Sequence, residues 1–374
     1  PLARLSCGTG MPCNRMPVII DTDMDTDDQM ALAFLLGEPS IKVKAITVLA
    51  DGWSNQWSGV QNAMRLTQLF GQPDIPVAYS PKYNSDTELN MEQPNNLPKP
   101  SLLPGIDNYL SEYVPLPFNE RPPSWMYAST LIRHILRTSE SQVDIIELGP
   151  LTNLAQVLQE EPHLFWKKVR RLYMSGGNIV ARNVSGSDKV WPYSSGPGGT
   201  SFTGKPPNTS WNVFSDPIAA NSVFSFGVPI VMGTSPFQDS IRFNTTDTEF
   251  IPSSCPAHID KVLREMILQL PAADNEKGVK EKLIRYWDQS LAVLAVQMIR
   301  HQGAQHAAVC TEWDQKRFAV MMEASNNATL GGRRYALLLE NQYGKMATEC
   351  LASNATEFKV AFFTGICGAF YEAP

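Results

Sequence analysis

Short apolar runs alternate with longer helical segments along the first part of the chain. The apolar runs fall at residues 18–20, 43–49 and 74–79, and the helical segments between them at residues 29–36 and 57–70. Strands that alternate with helices in this order are typical of a parallel sheet covered on both faces. The pattern therefore predicts an α/β fold with a doubly wound, mostly parallel sheet flanked by helices.

The same alternation resumes in the middle of the chain and becomes mixed towards its end. Further strands are predicted at 143–148, 168–174, 228–232, 317–322, 335–339 and 358–363, and further helices at 128–136, 151–158, 217–224 and within 258–302. Two irregular stretches, residues 81–124 and 175–210, predict long loops over the carboxyl edge of the sheet. We expect an N-terminal extension, residues 1–16, followed by a single domain, residues 17–374.

Composition narrows the class of partner. The 374 residues are 43% hydrophobic and 18% charged, which is ordinary for a globular protein. A net charge of -6 argues against a general electrostatic attraction to nucleic acid or to an anionic membrane. No apolar stretch approaches the ~18 residues that a membrane span needs. Neither nucleic acid nor a membrane is therefore expected as a partner.

The stretch DTDMDTDD follows the first apolar run directly and holds five carboxylates in eight residues. Helix capping accounts for one or two of them. Crowded carboxylates repel one another, so the group predicts a bound cation. Oxygen ligands without a nearby His or Cys favour Ca²⁺ or Mg²⁺ over Zn²⁺.

Two other acidic motifs share part of this pattern. An EF-hand loop would need Gly where Thr26 stands and Glu where Leu32 stands, and it would follow a helix rather than a strand. A phosphatase of the haloacid dehalogenase type also has a strand-end Asp-x-Asp. Its usual Thr or Val two residues further on is Asp25 in this chain. The phosphatase stays open as a distant alternative.

The segment VIIDTDMDTDD resembles the N-terminal signature of the inosine-uridine nucleoside hydrolases, Asp-x-Asp-x-x-x-Asp-Asp after a buried strand. Further segments resemble this family in the same order, up to about residue 300: AITVLADGWSN, IIELGPLTNLA, LYMSGG, WNVFSDPIAA and YWDQSLAVLA. The DTDxDTDD form of the first segment and the GWSN residues of the second are similar to those of secreted plant-type members. The resemblance implies hydrolysis of the N-glycosidic bond of ribonucleosides to ribose and free base.

The resemblance also implies a calcium site. Its ligands would be the carboxylates of Asp23, Asp28 and Asp288 and the main-chain carbonyl of Leu148. Asp27 would lie between the ion and the ribose hydroxyls. A water bound to the ion would be the nucleophile, with Asp23 as its general base.

Ribose contacts are implied at Asp51 and Asn212. A second ribose Asn is expected just upstream, where Asn178 and Asn183 are both candidates. The chain departs from the family pattern at two places. After VPIVM, Gly233-Thr234-Ser235 replaces the usual Pro-Leu-Asp, and Ser210 replaces the usual Glu two residues before Asn212. A shorter, uncharged side chain loses the hydrogen-bonding reach of Glu towards the 5′ side of the ribose.

The base would stack on an aromatic ring. Trp287, next to Asp288, is the first candidate, with Trp53, Trp57 and Trp125 as further ones. Many pyrimidine-cleaving members have His before the late Asp, so the Trp implies a preference for purine nucleosides.

The departures leave a second reading, in which the chain is a catalytically weak secreted protein that binds ribose or nucleosides and has kept the metal site. Relatives are often dimers or tetramers, so a homo-oligomer is also implied.

Two features favour an extracellular protein whose signal peptide has been removed. An even set of cysteines without CxxC spacing predicts disulfides, in any of fifteen pairings: Cys7, Cys13, Cys255, Cys310, Cys350 and Cys367. Glycosylation is predicted at the sequons of Asn183, Asn208, Asn244, Asn327 and Asn354.

Overall fold

A central ten-stranded sheet organises the chain in the computed structural model, which describes residues 15–50, 54, 56–81, 114–177, 179–180, 210–276, 284–302, 307–324 and 334–368. The strands are β1 (Met16–Thr22), β2 (Ile41–Val48), β3 (Val77–Tyr79), β4 (Val143–Glu147), β5 (Val169–Ser175), β6 (Ile179–Val180), β7 (Ile230–Gly233), β8 (Cys310–Ala324), β9 (Arg334–Glu340) and β10 (Lys345–Ser353).

Helices cover both faces of the sheet. They are α1 (Thr26–Gly37), α2 (Gln56–Leu69), α3 (Ala128–Thr138), α4 (Thr152–Glu160), α5 (Pro162–Lys168), α6 (Trp211–Ser215), α7 (Pro217–Phe224), α8 (Ser235–Asp239), α9 (Ala257–Glu276), α10 (Trp287–Arg300) and α11 (Ala355–Ile366). A 3₁₀ helix occupies Thr245–Phe250.

The strand order is β3-β2-β1-β4-β5-β7-β10-β8-β9-β6. Strands from β3 to β10 in this order are mutually parallel, and β8 is antiparallel to both β10 and β9. The chain steps outward from β1 to β3, then returns to place β4 on the other side of β1. The direction of winding therefore reverses between β1 and β4, which is where open α/β sheets bind ligands.

The apolar run of β1 serves two cores. Val18 and Ile20 pack into the core on one face of the sheet, and Ile19 packs into the core on the other. Helix α1 packs against both α10 and α11 and is buried along nearly its whole length. This double cover explains why the first strand and helix are apolar without alternation.

The predicted α/β class is confirmed, and the strand prediction is wrong at one place. Residues 358–363 lie in α11, where Phe358 and Phe362 stack with ring centroids 5.4 Å apart. A short apolar run fits a buried helix as well as a strand. Strand β10, between β7 and β8, was not predicted.

The boundaries of the extension and loops differ slightly from the predictions. Strand β1 begins at Met16, the last residue of the predicted extension. Residues 114–124 are irregular, as predicted, and β6 lies inside the second predicted loop. The remaining parts of the two loops, 82–113 and 181–209, lie outside the described residues.

Two disulfides join distant parts of the chain. Cys255 is bonded to Cys367 and Cys310 to Cys350. Cys7 and Cys13 lie outside the described residues. Among the described helices, none has both the length and the apolar composition that crossing a bilayer requires.

Candidate active site

The acidic stretch forms a tight turn between β1 and α1. Met24 has a φ of 55°, in the left-handed region that residues other than glycine rarely adopt. Its N–H donates to the Thr22 hydroxyl at 3.0 Å, and its carbonyl accepts from the Gln29 amide at 3.0 Å. Asp25 caps α1 and accepts from the N–H of Thr26. The turn thus uses one carboxylate for capping and brings the first turn of α1 back over the end of β1.

Three carboxylates converge at this point. Asp27 and Asp28 lie in the first turn of α1, and Asp288 lies in the first turn of α10. One oxygen from each lies within 4.8 Å of the others. Because α1 packs against α10, the amino ends of two helices meet here, and both favour negative charge. Asp23 lies beside Asp28, close enough to affect its pKa through a side-chain hydrogen bond.

Burial makes these charges costly. Desolvation raises the pKa of Asp28 well above its usual value, and the charge of Asp288 raises it further. Desolvation also raises the pKa of Asp288 well above its usual value, with Asp27 adding to the rise. Among the described residues, no Lys or Arg forms an ion pair with Asp28 or Asp288. A cation would relieve this repulsion.

The donor set fits a hard divalent ion. The Thr22 hydroxyl donates to Oδ1 of Asp28, whereas Oδ2 of Asp28 is buried and accepts no hydrogen bond within the described part of the chain. Buried carboxylate oxygens of this kind are the ligands that Ca²⁺ prefers. The calcium or magnesium site predicted from the sequence therefore has side chains that fit it.

The turn after β4 lies directly against Asp23. A Cβ on Gly149 would lie only 3.1 Å from the Cβ of Asp23, so glycine is what allows this approach. Leu148, the residue before Gly149, donates its N–H to the carbonyl of Asp21 at 2.8 Å. Asn212 donates from its side-chain amide to the carbonyl of Leu148 at 2.8 Å and to that of Ser175 at 3.1 Å. These contacts tie α6 to the ends of β4 and β5.

The remaining carboxylate of the acidic stretch, Asp21, has a different environment from the other four. It accepts from the Thr47 hydroxyl at 2.5 Å and from the Asn153 amide at 2.8 Å. Its neighbour across the sheet is the buried Glu147. Burial raises the pKa of Glu147 well above its usual value, and the charge of Asp21 adds to the rise. We read this pair as part of the support beneath the site.

Trp287 stands at the amino end of α10, beside Asp288, and is half-buried. Its indole N–H donates to the Asp239 carboxylate at 2.9 Å. Its main-chain carbonyl accepts from the side-chain amide of Gln238 at 2.9 Å. The same amide donates to the Ser175 hydroxyl at 2.8 Å. The ring of Trp287 is therefore held in a defined orientation by α8.

With this geometry in place, comparison with known proteins decides the family. A family model described as inosine-uridine preferring nucleoside hydrolase matches residues 18–360. The chain belongs to this family. Membership excludes the haloacid dehalogenase alternative that the Asp-x-Asp pattern left open.

Curated nucleoside hydrolases match over part of their length. The pyrimidine-specific ribonucleoside hydrolase RihA of Salmonella paratyphi B is 29% identical over 238 residues, which cover 63% of this chain and 65% of that protein. RihA of Klebsiella pneumoniae is 29% identical over 221 residues, 58% and 59% of the two chains. The chain thus spans less than two thirds of the length of these relatives.

Solved nucleoside hydrolases share the fold. The plant nucleoside hydrolase PpNRh1 superimposes with a TM-score of 0.67 at 20% identity, covering 94% of this chain and 99% of that one. A purine-preferring ribonucleoside hydrolase from Gardnerella vaginalis superimposes with a TM-score of 0.65 at 20% identity, covering 94% and 98%.

The structure brings together most of the described residues that the nucleoside hydrolase motifs indicated. Seven of them lie at the carboxyl edge of the sheet or beside it: Asp23, Asp27, Asp28, Leu148, Asn212, Trp287 and Asp288. Asp51, Trp53, Asn178 and Asn183 lie outside the described residues.

The two remaining tryptophans are exposed. Trp57 is 54% exposed, and its ring is 5.4 Å from that of Tyr79. Trp125 is 87% exposed and lines a separate cavity of about 570 Å³ near the start of β3.

Several supporting residues escaped the sequence analysis. Thr22 binds Asp28, Ser175 binds Asp288, and the pair Gln238 and Asp239 binds Trp287. Thr22 had a signal, since a hydroxyl lies between the first two carboxylates of the motif. Gln238 and Asp239 had none, because the family pattern is interrupted just before them.

Proposed function

We propose that this protein hydrolyses the N-glycosidic bond of ribonucleosides, with Ca²⁺ as its cofactor, to give ribose and the free base. The observation that carries the proposal is the convergence of Asp27, Asp28 and Asp288 in a member of the nucleoside hydrolase family, at the switch point of its sheet. The carboxylates of Asp23, Asp28 and Asp288, with Asp27 and the carbonyl of Leu148, would hold the ion.

A bound Ca²⁺ supplies a positive centre that lowers the pKa of a nearby water and orients the ribose hydroxyls. Asp23 takes the proton from the attacking water, whose oxygen bonds to C1′ of the ribose. The electron pair of the C1′–N bond leaves with the base, which takes up a proton from solvent, and Asp23 then releases to solvent the proton that it accepted. Carboxylates facing the ribose stabilise the positive charge that develops on the sugar during cleavage.

Binding residues divide between the two parts of the substrate. Asp27, Asp51 and Asn212 would hold the ribose hydroxyls, with Asn178 or Asn183 as the second ribose Asn. The ring of Trp287 would stack on the base.

A purine preference is part of the proposal. It is supported by the half-buried Trp287 beside Asp288 and by the purine-preferring relative of the same fold. The curated relatives are named pyrimidine-specific. Known relatives thus include both purine-preferring and pyrimidine-specific enzymes, and the preference of this protein has to be measured. Ribose release from inosine, adenosine, guanosine, uridine and cytidine measures the preference directly.

A second candidate function is a catalytically weak ribose- or nucleoside-binding protein. The observation that favours it is Ser210, which is buried where the family has Glu. It lies close to the Gly176 backbone, since a Cβ on Gly176 would lie 2.8 Å from the Ser210 hydroxyl. Measurable binding of a nucleoside without ribose release from any of the five would favour this candidate over the enzyme.

Asp23→Ala tests the assigned base. It is expected to lower kcat by about 10³-fold, because the water loses its proton acceptor. Circular dichroism and a gel-filtration profile matching wild type would show that the fold is retained. Activity that survives the substitution would assign the base elsewhere.

We also infer an extracellular location. Two disulfides and two exposed sequon asparagines, Asn244 and Asn354, support it. Mass spectrometry of protein from its natural source tests this, since glycan-free asparagines together with reduced thiols would contradict it. The homo-oligomer stays a prediction, for which light scattering should give a dimer or tetramer mass.

A further inference from the structure

Helix α8 holds Trp287 through two of its side chains. Gln238 donates to the carbonyl of Trp287, and Asp239 accepts from its indole N–H. Arg285, two residues before Trp287, donates to the main-chain oxygen of Asp239 at 2.9 Å. This helix directly follows Gly233 and Thr234, where the sequence departs from the family pattern.

The indole hydrogen bond fixes the orientation of the ring. Indole has one N–H donor and no acceptor, so the position of its partner determines which edge of the ring faces inward. The donor meets a carboxylate oxygen, and charge-assisted hydrogen bonds are stronger than neutral ones. Arg285 also holds Asp239, because its guanidinium donates to the main-chain oxygen of that residue.

The ring so oriented precedes Asp288 directly along the chain. A stacking contact needs the plane of the ring parallel to the base, and a rotation about the side-chain bonds of Trp287 would remove that overlap. We propose that Asp239 is a positioning residue that sets the plane of Trp287 against the nucleobase of the substrate. This inference rests on the proposed function, which supplies the base.

Three aspartate variants test the proposal. Asp239→Asn keeps an oxygen that accepts the indole N–H, so kcat/KM for the best nucleoside should stay within about threefold of wild type. Asp239→Ala removes the acceptor and should lower kcat/KM by about 10- to 100-fold, mostly through KM. Asp260→Ala is the matched control, because Asp260 pairs with Arg264 on the surface of α9. It should leave both constants unchanged.

A double-substitution cycle separates positioning from general damage. Trp287→Ala should cost as much as Asp239→Ala or more. Adding Asp239→Ala to Trp287→Ala should then cause no further loss, because the ring that Asp239 orients is gone. Additive losses would overturn the proposal, and so would wild-type kinetics in Asp239→Ala or a failure of Asp239→Asn to retain activity.

If the wild-type protein releases ribose from no nucleoside, the proposed function is wrong, but this inference can still be tested by binding. The same variants are then compared by their Kd for inosine in calorimetry. Weaker binding in Asp239→Ala and near wild-type binding in Asp239→Asn would support it, and equal binding in all variants would overturn it.

Discussion

Buried acidic residues occupy two kinds of environment in this protein. Away from the site, four of those in the described part of the chain contact a Lys or Arg: Glu38 with Arg300, Asp144 with Arg170, Asp247 with Lys359 and Glu349 with Lys316. At the site, Asp28 and Asp288 contact no Lys or Arg among the described residues, although both are buried.

This difference indicates the source of the positive charge that neutralises the buried carboxylates of the site. Within the described residues, the fold places a cationic side chain next to a buried carboxylate four times. The buried pair of Asp21 and Glu147 receives hydroxyl, amide and main-chain donors. Even Asp216, which caps α7, receives donors from Ala219 and Thr152. A buried pair of acids without such partners is unstable by itself. The site therefore looks built for a cation that arrives from solution.

Asp288→Asn should have the largest effect on this comparison. Removing the charge takes away a proposed calcium ligand, so hydrolysis should fall by about 10³-fold and calcium affinity with it. The calcium-free protein should become more stable, because a buried repulsive charge is gone. Thermal unfolding in EDTA measures this; a lower melting temperature than wild type would contradict the account. Asp260→Asn is the surface control.

Glu38→Gln should act in the opposite direction on stability. It leaves the largely buried Arg300 guanidinium without its charged partner and should destabilise the fold by about 3 kcal/mol. Adding Arg300→Leu should restore part of the loss, because it removes the uncompensated charge. Urea unfolding gives both values. A stability gain from Glu38→Gln alone would erase the contrast between the two environments.

Calcium should stabilise the protein more at high pH than at low pH. The raised pKa values of Asp28 and Asp288 mean that protonation stabilises the calcium-free fold at low pH, and that this contribution is lost as pH rises through the raised values. Calcium takes over the role of the protons, by about 2.7 kcal/mol at a hundred times its Kd. Melting temperatures with and without calcium at pH 5 and pH 8 measure this. Equal shifts at both values would argue against linked binding.

Asp260→Ala should have the smallest effect. Its pair with Arg264 is partly exposed on α9, so its loss should cost about 0.5 kcal/mol and fall further in high salt. A larger loss in urea unfolding would mean that exposed pairs matter here as much as buried ones.

Much of the fold could be predicted because the first six strands in sheet order, β3 to β7, belong largely to local βα units with continuous apolar cores. The C-terminal part of the chain, β10 and α11, could not be predicted in this way. Strand β10 has few β-branched residues and forms through pairing with β7 and β8. Helix α11 did carry a signal, since Asn354 caps it and Glu357 follows three residues later. The apolar run at residues 358–363 was nevertheless interpreted as a buried strand.

The site was predictable in part. The sequence alone indicated a cation at Asp21–Asp28, because the carboxylates are adjacent. The arrival of Asp288 beside Asp28, 260 residues later, depends on the packing of α10 against α1. Only the family resemblance could anticipate it. The contacts of Gln238 and Asp239 with Trp287 depend on tertiary structure alone.

The calcium content of the protein tests the central claim most directly. Protein stripped with EDTA and dialysed against calcium should bind one ion per chain in the wild type and in Asp260→Asn, and none at the same concentration in Asp28→Asn or Asp288→Asn. An equal ion content in wild type and in the two site variants would contradict the account.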